Sequence, residues 1–179
     1  METHPMAAVT DTGALPEKIG PKGWPEDYEE RKKGKGCWLC GALGKGDNHH
    51  RVSVFKGDFG EFYLERRTTL PGYGTLVWNR GHLVEPTQLT DEEAAGYFKE
   101  LHQAARAVEQ LYNPVKVNYL TFGNLTPHLH TYIMPRYLDD PAPGRPMPLE
   151  KAYSLEPVAE SELKRQAAQL RELISKQRK

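Results

Sequence analysis

The sequence predicts an α+β domain in which a long helix packs an antiparallel sheet. Three observations carry that prediction. Residues 127–136 read Pro-His-Leu-His-Thr-Tyr-Ile-Met-Pro-Arg. Their period of two puts His128, His130 and Tyr132 on one face of a strand and Leu129, Thr131 and Ile133 on the other. Residues 90–112 instead carry apolar side chains near helical spacing behind a capping box of Thr90 and Glu93. The order of segments, strands then helix then strands, fits an antiparallel sheet better than repeated βα units.

The elements follow from local signals. Residues 1–24 are rich in Pro, Gly, Thr and charge without periodicity, and a loosely ordered segment is expected there. Residues 27–35 are charged and suit a short helix leading into Cys37-Trp38-Leu39-Cys40. Residues 51–55 and 61–65 read as strands, and Leu70-Pro71-Gly72-Tyr73-Gly74 is a turn before a strand at 75–78. The stripe of the long helix is expected to contain Ala94, Phe98, Leu101, Ala105 and Val108. A strand at 115–122 and a loop at 123–127 lead to the last strand, at 128–134. The tract 135–148 holds five prolines and reads as an extended loop. A closing amphipathic helix from about Ser161 puts Leu163, Ala167, Leu170 and Ile174 on one stripe. There is no internal repeat.

Composition narrows the partners. The chain has 179 residues, with 24 Lys plus Arg balanced by 24 Asp plus Glu. That suits one domain with a real core and supplies no basic field for nucleic acid or a membrane surface. No segment approaches the roughly 20 apolar residues of a bilayer span. Residues 1–20 lack a basic start and an apolar run, so no export signal is expected and the cytoplasm is the expected location. His102 within the long helix and the basic run Lys176-Gln177-Arg178-Lys179 read as surface features, and Trp38 and Trp78 as core.

Two constellations carry chemistry. Imidazoles held side by side on a strand can present a nucleophile or a metal ligand with little entropic loss. Cys37-x-x-Cys40 can be half of a zinc site, a redox pair or two unrelated thiols. A redox role fits poorly, because Cys37 follows Lys33-Gly34-Lys35-Gly36 rather than a strand of a βαβ unit. Structural zinc needs four ligands, and with no further cysteine two histidines must complete it. His49 and His50 are local competitors, although their gap from Cys40 is shorter than in usual zinc fingers and adjacent histidines point apart on an extended chain.

Residues 37–137 resemble the histidine triad (HIT) superfamily of nucleotide hydrolases and transferases. The resemblance is carried mainly by Gly123-Asn124-Leu125-Thr126-Pro127-His128-Leu129-His130 followed by Ile133-Met134-Pro135-Arg136. Leu70-Pro71-Gly72-Tyr73-Gly74-Thr75-Leu76-Val77, Arg80-Gly81-His82 and Leu89-Thr90 add to it. It implies a HIT-like, nucleotide-binding domain over residues 25–148, with 149–179 as an extension. By the same resemblance His130 is the nucleophile that attacks the α-phosphate of a purine (di)nucleotide or nucleotide conjugate, giving a nucleotidyl-histidine intermediate. Asn124, Thr126 and the amides of the loop are then expected to bind the phosphoryl group, with Asn118 reaching ribose or phosphate and Arg136 and Arg145 meeting polyphosphate. Tyr132 stands where the third histidine is expected. With a pKa of about 10 it cannot be a cationic donor at neutral pH, so it bears on leaving-group assistance more than on binding. By resemblance to bacterial members and the related uridylyltransferases, Cys37, Cys40, His82 and His128 are the expected ligands of a structural zinc, and a homodimer is expected. The implied activity is hydrolysis. Nucleotidyl transfer or dinucleoside polyphosphate phosphorolysis is the alternative, and a zinc-stabilised nucleotide-binding protein with little turnover is the reading from a different class.

Overall fold

The computed structural model describes residues 23–177, so the segment expected to be loosely ordered lies almost wholly outside the described residues. Two short helices come first, α1 (Tyr28–Lys32) and α2 (Trp38–Ala42). Strands β1 (Arg51–Lys56), β2 (Gly60–Glu65) and β3 (Gly74–Trp78) precede helix α3 (Asp91–Tyr112). Then come β4 (Lys116–Thr121), β5 (His130–Arg136), α4 (Leu149–Ala152) and α5 (Glu160–Gln177). The five strands form one antiparallel sheet in the order β1-β2-β3-β5-β4, the α+β architecture expected.

The pleat divides the sheet into two unlike faces. One carries Val52, Val54, Phe62, Leu64, Leu76, Trp78, Val117 and Ile133, and packs against α3 and α5 in a single core. The other carries Arg51, Glu65, Thr75, His130 and Tyr132, all buried. Two pieces of chain cover this second face. Leu39 of α2 packs on Tyr63 and Val77, while Met147 and Ala152 pack on Tyr73, Tyr132 and Met134.

Helix α3 opens on the predicted capping box, with Thr90 Oγ1 accepting from Glu93 N and Glu93 accepting from Thr90 N. It closes on Asn113 in the left-handed region, φ 48°. Its buried face is Tyr97, Glu100, Leu101, Ala104, Ala105, Ala107 and Val108. Phe98 and Ala94, expected on that stripe, are instead exposed, Phe98 by 69%. Each residue turns the helix by about 100°, so a stripe centred on Tyr97 and Leu101 carries Phe98 off the core. Helix α5 buries Leu163, Ala167, Leu170 and Ile174, the stripe read from sequence. Its Arg171 also donates to the carbonyls of Ser53 and Val54 at the outer edge of β1.

The last strand starts and ends two residues later than expected: His128 precedes it, and Pro135 and Arg136 belong to it. A proline is tolerated there because Arg136 O accepts from Val115 N on the β4 side. Pro135, one residue earlier, therefore turns its nitrogen toward the β3 side, where pairing has already ended at Gly74 and Ile133.

Candidate functional site: a histidine strand beside a cysteine-histidine cluster

The two constellations meet where the chain enters β5. Residues 123–127 form the loop from β4, and His128 N donates to Thr126 O in its final turn. The His128 ring is fully buried and sits between Trp78 and the cysteines. One ring nitrogen, Nε2, is 2.8 Å from the Trp78 carbonyl oxygen. A carbonyl can only accept, so Nε2 carries the proton and Nδ1 the lone pair. That Nδ1 lies 3.4 Å from Cys37 Sγ and 3.3 Å from Cys40 Sγ.

His82 repeats the arrangement. Its Nε2 is 3.2 Å from the Lys32 carbonyl and its Nδ1 is 3.4 Å from Cys40 Sγ. Gly34, at φ +89°, makes room for it, since a Cβ there would come within 3.2 Å of the His82 ring. The ligand atoms of Cys37, Cys40, His82 and His128 all lie within 4.8 Å of one another.

The donor set fits a zinc ion. Zinc–ligand bonds of about 2.0–2.3 Å at tetrahedral angles put neighbouring ligand atoms roughly 3.3–3.8 Å apart, and the three sulphur–nitrogen distances just given already fall there. Both histidines have their second nitrogen fixed by a backbone carbonyl, the outer arrangement that metal-binding imidazoles use. Burial pushes His128 down to about 4, so it is neutral at pH 7. Burial and the adjacent Cys37 sulphur push the Cys40 thiol up to about 12. A cation reverses that preference, because a coordinating thiol is deprotonated. His49 and His50, the local competitors, stack on each other with ring centroids 3.6 Å apart and are not in the cluster.

His130, two residues on, faces a cavity of about 330 Å³ lined also by Asn124, Thr126 and Tyr132. Its Nδ1 is 2.6 Å from the His128 carbonyl oxygen, so Nδ1 donates and Nε2 is the nitrogen left with the lone pair. Tyr132 stands edge-on to it, ring centroids 5.1 Å apart at 89°. Tyr132 is only 6% exposed and packs with Tyr73, at 5.6 Å.

Arg136 requires a correction. It was expected to meet polyphosphate, yet it is buried and its donors are taken. Nε and one terminal nitrogen fork onto Asp140, at 2.6 and 3.0 Å. The terminal nitrogens also donate to Asn118 Oδ1 and to the carbonyls of Ala142 and Arg145. The residue organises the proline-rich tract, and Asn118 serves it. Both line a neighbouring cleft rather than the His130 cavity.

Several contributors were not visible in the sequence. Leu149 and Tyr153 line the His130 cavity although they follow the proline tract. Tyr28 and Arg31 donate to the carbonyls of Gly123 and Leu125 in the loop beside it. Trp38, expected in the core, is half-buried and donates from Nε1 to Thr126 Oγ1. Only Trp38 carried a signal, its place between the two cysteines.

Comparison with known proteins places this geometry. Residues 54–139 match the model of the HIT domain family. Among solved structures, a histidine triad protein from Bradyrhizobium japonicum superposes with a TM-score of 0.63 at 23% identity, covering 70% of this chain and 91% of that one. A hypothetical histidine triad nucleotide-binding protein from Sulfolobus tokodaii gives 0.61 at 14%, covering 78% and 93%. A Zn-bound histidine triad family protein from Mycobacterium smegmatis gives 0.57 at 17%, covering 80% and 96%. A search of curated proteins returned no significant match. The structural likenesses establish the fold, a HIT-like α+β domain, and residues 54–139, the histidine strand included, match the HIT domain family over just under half of the chain.

Proposed function

We propose that this protein is a nucleotide hydrolase that cleaves at the α-phosphate of a purine (di)nucleotide or nucleotide conjugate through a nucleotidyl-histidine. One observation carries the reading: the His128 carbonyl fixes the proton of His130 on Nδ1, so the lone pair is on Nε2, and His130 lines a cavity with Asn124 and Thr126. In the first step Nε2 attacks phosphorus, the N–P bond forms and the bond to the leaving group breaks. In the second, water attacks the same phosphorus and the N–P bond breaks, releasing a mononucleotide and returning the imidazole. Asn124, the Thr126 hydroxyl and amides of the 123–127 loop face the charge that develops on the phosphoryl oxygens. Phe122, Leu149 and Tyr153 supply an apolar wall of the same cavity, suited to a nucleoside or an apolar leaving group.

Tyr132 favours a second reading of the same chemistry. A buried phenol beside His130 offers no cationic proton to the departing group, so a leaving group that departs as a stable anion, such as a nucleoside polyphosphate, is favoured, and nucleotidyl transfer or phosphorolysis from such a substrate is the second reading. Turnover low enough to make the protein a nucleotide-binding module is the limit of that trend.

Cys37, Cys40, His82 and His128 would hold zinc, which supplies cross-linking of α2, the 79–85 segment and the start of β5 rather than chemistry. That role agrees with the bond from His130 to the carbonyl of His128, which a fixed His128 keeps in place. Exposed Val115, Tyr119, Phe122 and Leu125 along and beside the β4 edge support a homodimer. The two free thiols suit the cytoplasm, and among the described residues no helix is long and apolar enough to cross a membrane.

The test is product analysis by mass spectrometry for wild type and His130→Ala, with adenine and guanine nucleotide substrates and with or without inorganic phosphate. Mononucleotide formed only by wild type is the expected result. A phosphate-dependent nucleoside diphosphate assigns phosphorolysis instead, and equal turnover by both proteins overturns the role of His130.

A further inference from the structure

Three side chains that precede the family-matched segment hold the loop beside His130. Tyr28 Oη donates to Gly123 O at 3.0 Å, Arg31 donates to Leu125 O at 3.1 Å, and Trp38 Nε1 donates to Thr126 Oγ1 at 3.2 Å. The first two act on backbone. The third differs, because it reaches the side-chain hydroxyl of a residue that lines the cavity.

An indole N–H can only donate, so Thr126 Oγ1 is the acceptor of this bond. The hydroxyl proton must therefore point away from Trp38. Among the described residues Thr126 Oγ1 has no other hydrogen-bond partner, and Thr126 lines the same cavity as Asn124 and His130. The indole is itself held firmly. It stands in the turn between Cys37 and Cys40, and the Arg51 guanidinium lies 4.9 Å from its ring centroid. Arg51 is in turn buried and bonded through Nε to Glu65 Oε1 at 2.7 Å.

We propose that Trp38 is a positioning residue that turns the Thr126 hydroxyl into a fixed donor to a phosphoryl oxygen at His130. The proposal rests on the reading of His130 as nucleophile. A hydroxyl rotor in a cavity otherwise spreads its proton over several directions. Occupying its lone pair from behind removes one of these and leaves the donor aimed before substrate arrives, which is where catalytic electrostatics gain over water. The ligand class follows from the same geometry: a tetrahedral phosphoryl group carrying an unesterified oxygen, as in a nucleoside monophosphate or its conjugates. A neutral nucleoside gains nothing from Trp38.

The experiment compares wild type, Trp38→Phe, Thr126→Val and the double variant, with Thr126→Ser as the conservative replacement. Phenylalanine keeps an aromatic ring beside Arg51 and removes the N–H donor, and the double variant separates the loss of that donor from the loss of the second ring. The readouts are kcat and KM with the nucleotide substrate, and calorimetric Kd values for adenosine 5′-monophosphate and for adenosine. Denaturation midpoints serve as the control for folding. Thr126→Val should lose about ten-fold or more in kcat, as removal of a donor to developing charge does. Trp38→Phe should lose about three- to ten-fold in kcat, with KM little changed, within the range of one hydrogen bond. It should weaken the monophosphate by a like factor while leaving adenosine unchanged. In the Thr126→Val background it should add nothing, and in the Thr126→Ser background its effect should persist.

An equal loss from Trp38→Phe in the wild-type and Thr126→Val backgrounds overturns the proposal, as does equal weakening of monophosphate and nucleoside. Should Trp38→Phe fail to fold, Thr126→Val alone decides: monophosphate affinity unchanged relative to adenosine overturns it. The underlying reading fails separately. If His130→Ala kills turnover while Trp38→Phe matches wild type, only the role of Trp38 falls. If wild type neither turns over nor binds the monophosphate, both fall together.

Discussion

His128 and His130 are two residues apart and have opposite duties, which their partners assign. Trp78 O accepts from His128 Nε2 and turns Nδ1 to the cysteines, while His128 O accepts from His130 Nδ1 and leaves the lone pair on Nε2. Burial sets a pH dependence. The folded His128 titrates near 4 against an ordinary value of 6.5, so the unfolded chain binds the proton first. Stability is then full above pH 6.5, falls as pH drops toward 4 and levels off below, by up to about 3 kcal/mol. Denaturant midpoints of chelator-treated protein between pH 7 and 4 measure this, and a flat profile contradicts it. Arg136 makes a prediction of a different kind. Removing its guanidinium strands the buried Asp140 carboxylate, so Arg136→Ala should cost about 3–5 kcal/mol in an unfolding titration, in place of the selective loss of nucleotide affinity its position in the motif suggested. The triad strand was legible because period-two alternation and paired imidazoles are local properties. The partners of Arg136 were not, because nothing in a Pro-Arg pair says that Asp140 will fold back onto it.

At the scale of elements, α5 shows what periodicity can deliver: Leu163, Ala167, Leu170 and Ile174 form an uninterrupted stripe, and all four are buried. Leu170 is fully enclosed in the core shared with α3 and the sheet. Leu170→Ala should therefore destabilise by about 2–5 kcal/mol, read from the denaturation midpoint, whereas the same change at exposed Leu155 should be within error. The expected stripe of α3 holds at Leu101, Ala105 and Val108 and fails only at Ala94 and Phe98 in its first turns, because Ala, Tyr and Phe are spread round the helix there and the sheet decides which of them it covers. Glu100 adds to the confusion: it is buried, and its carboxylate accepts from the amides of Asp58 and Phe59 in the β1–β2 turn, a polar residue on the core side that no hydrophobic pattern reveals. The short helices α1 and α2 are organised by the cysteine-histidine cluster instead of by a stripe. Stoichiometric zinc should survive His49→Ala and His50→Ala and be lost in Cys37→Ala, as measured by elemental analysis. The reverse pattern contradicts the ligand set. The Cys-x-x-Cys pair was legible since cysteine has few uses in a chain of this kind, but spacing alone left His49 and His50 in contention with His82 and His128. Only the fold, which brings residues 40, 82 and 128 together, separates them.

For the whole molecule, the two sheet edges are treated differently. The β1 edge is covered by Arg171 of α5, while the β4 side exposes Val115, Tyr119, Phe122 and Leu125. The account predicts a dimer in sedimentation velocity that Tyr119→Lys shifts toward monomer, and an unchanged sedimentation coefficient in that variant contradicts the β4 side as the interface. The segment after the proline tract also shapes the molecule: it reaches back over the second sheet face, placing Leu149 and Tyr153 in the His130 cavity. Its contribution was hidden from the sequence because residues distant along the chain meet only after β3, β5 and β4 have paired. The central claim, that His130 Nε2 forms a bond to phosphorus, is tested most directly by acid-avoiding quench of the protein with nucleotide substrate and peptide mass spectrometry. The account predicts a nucleotidyl adduct on the peptide containing His130 that is absent in His130→Ala. Turnover with no adduct on that peptide under any quench, or an adduct on another residue, contradicts it.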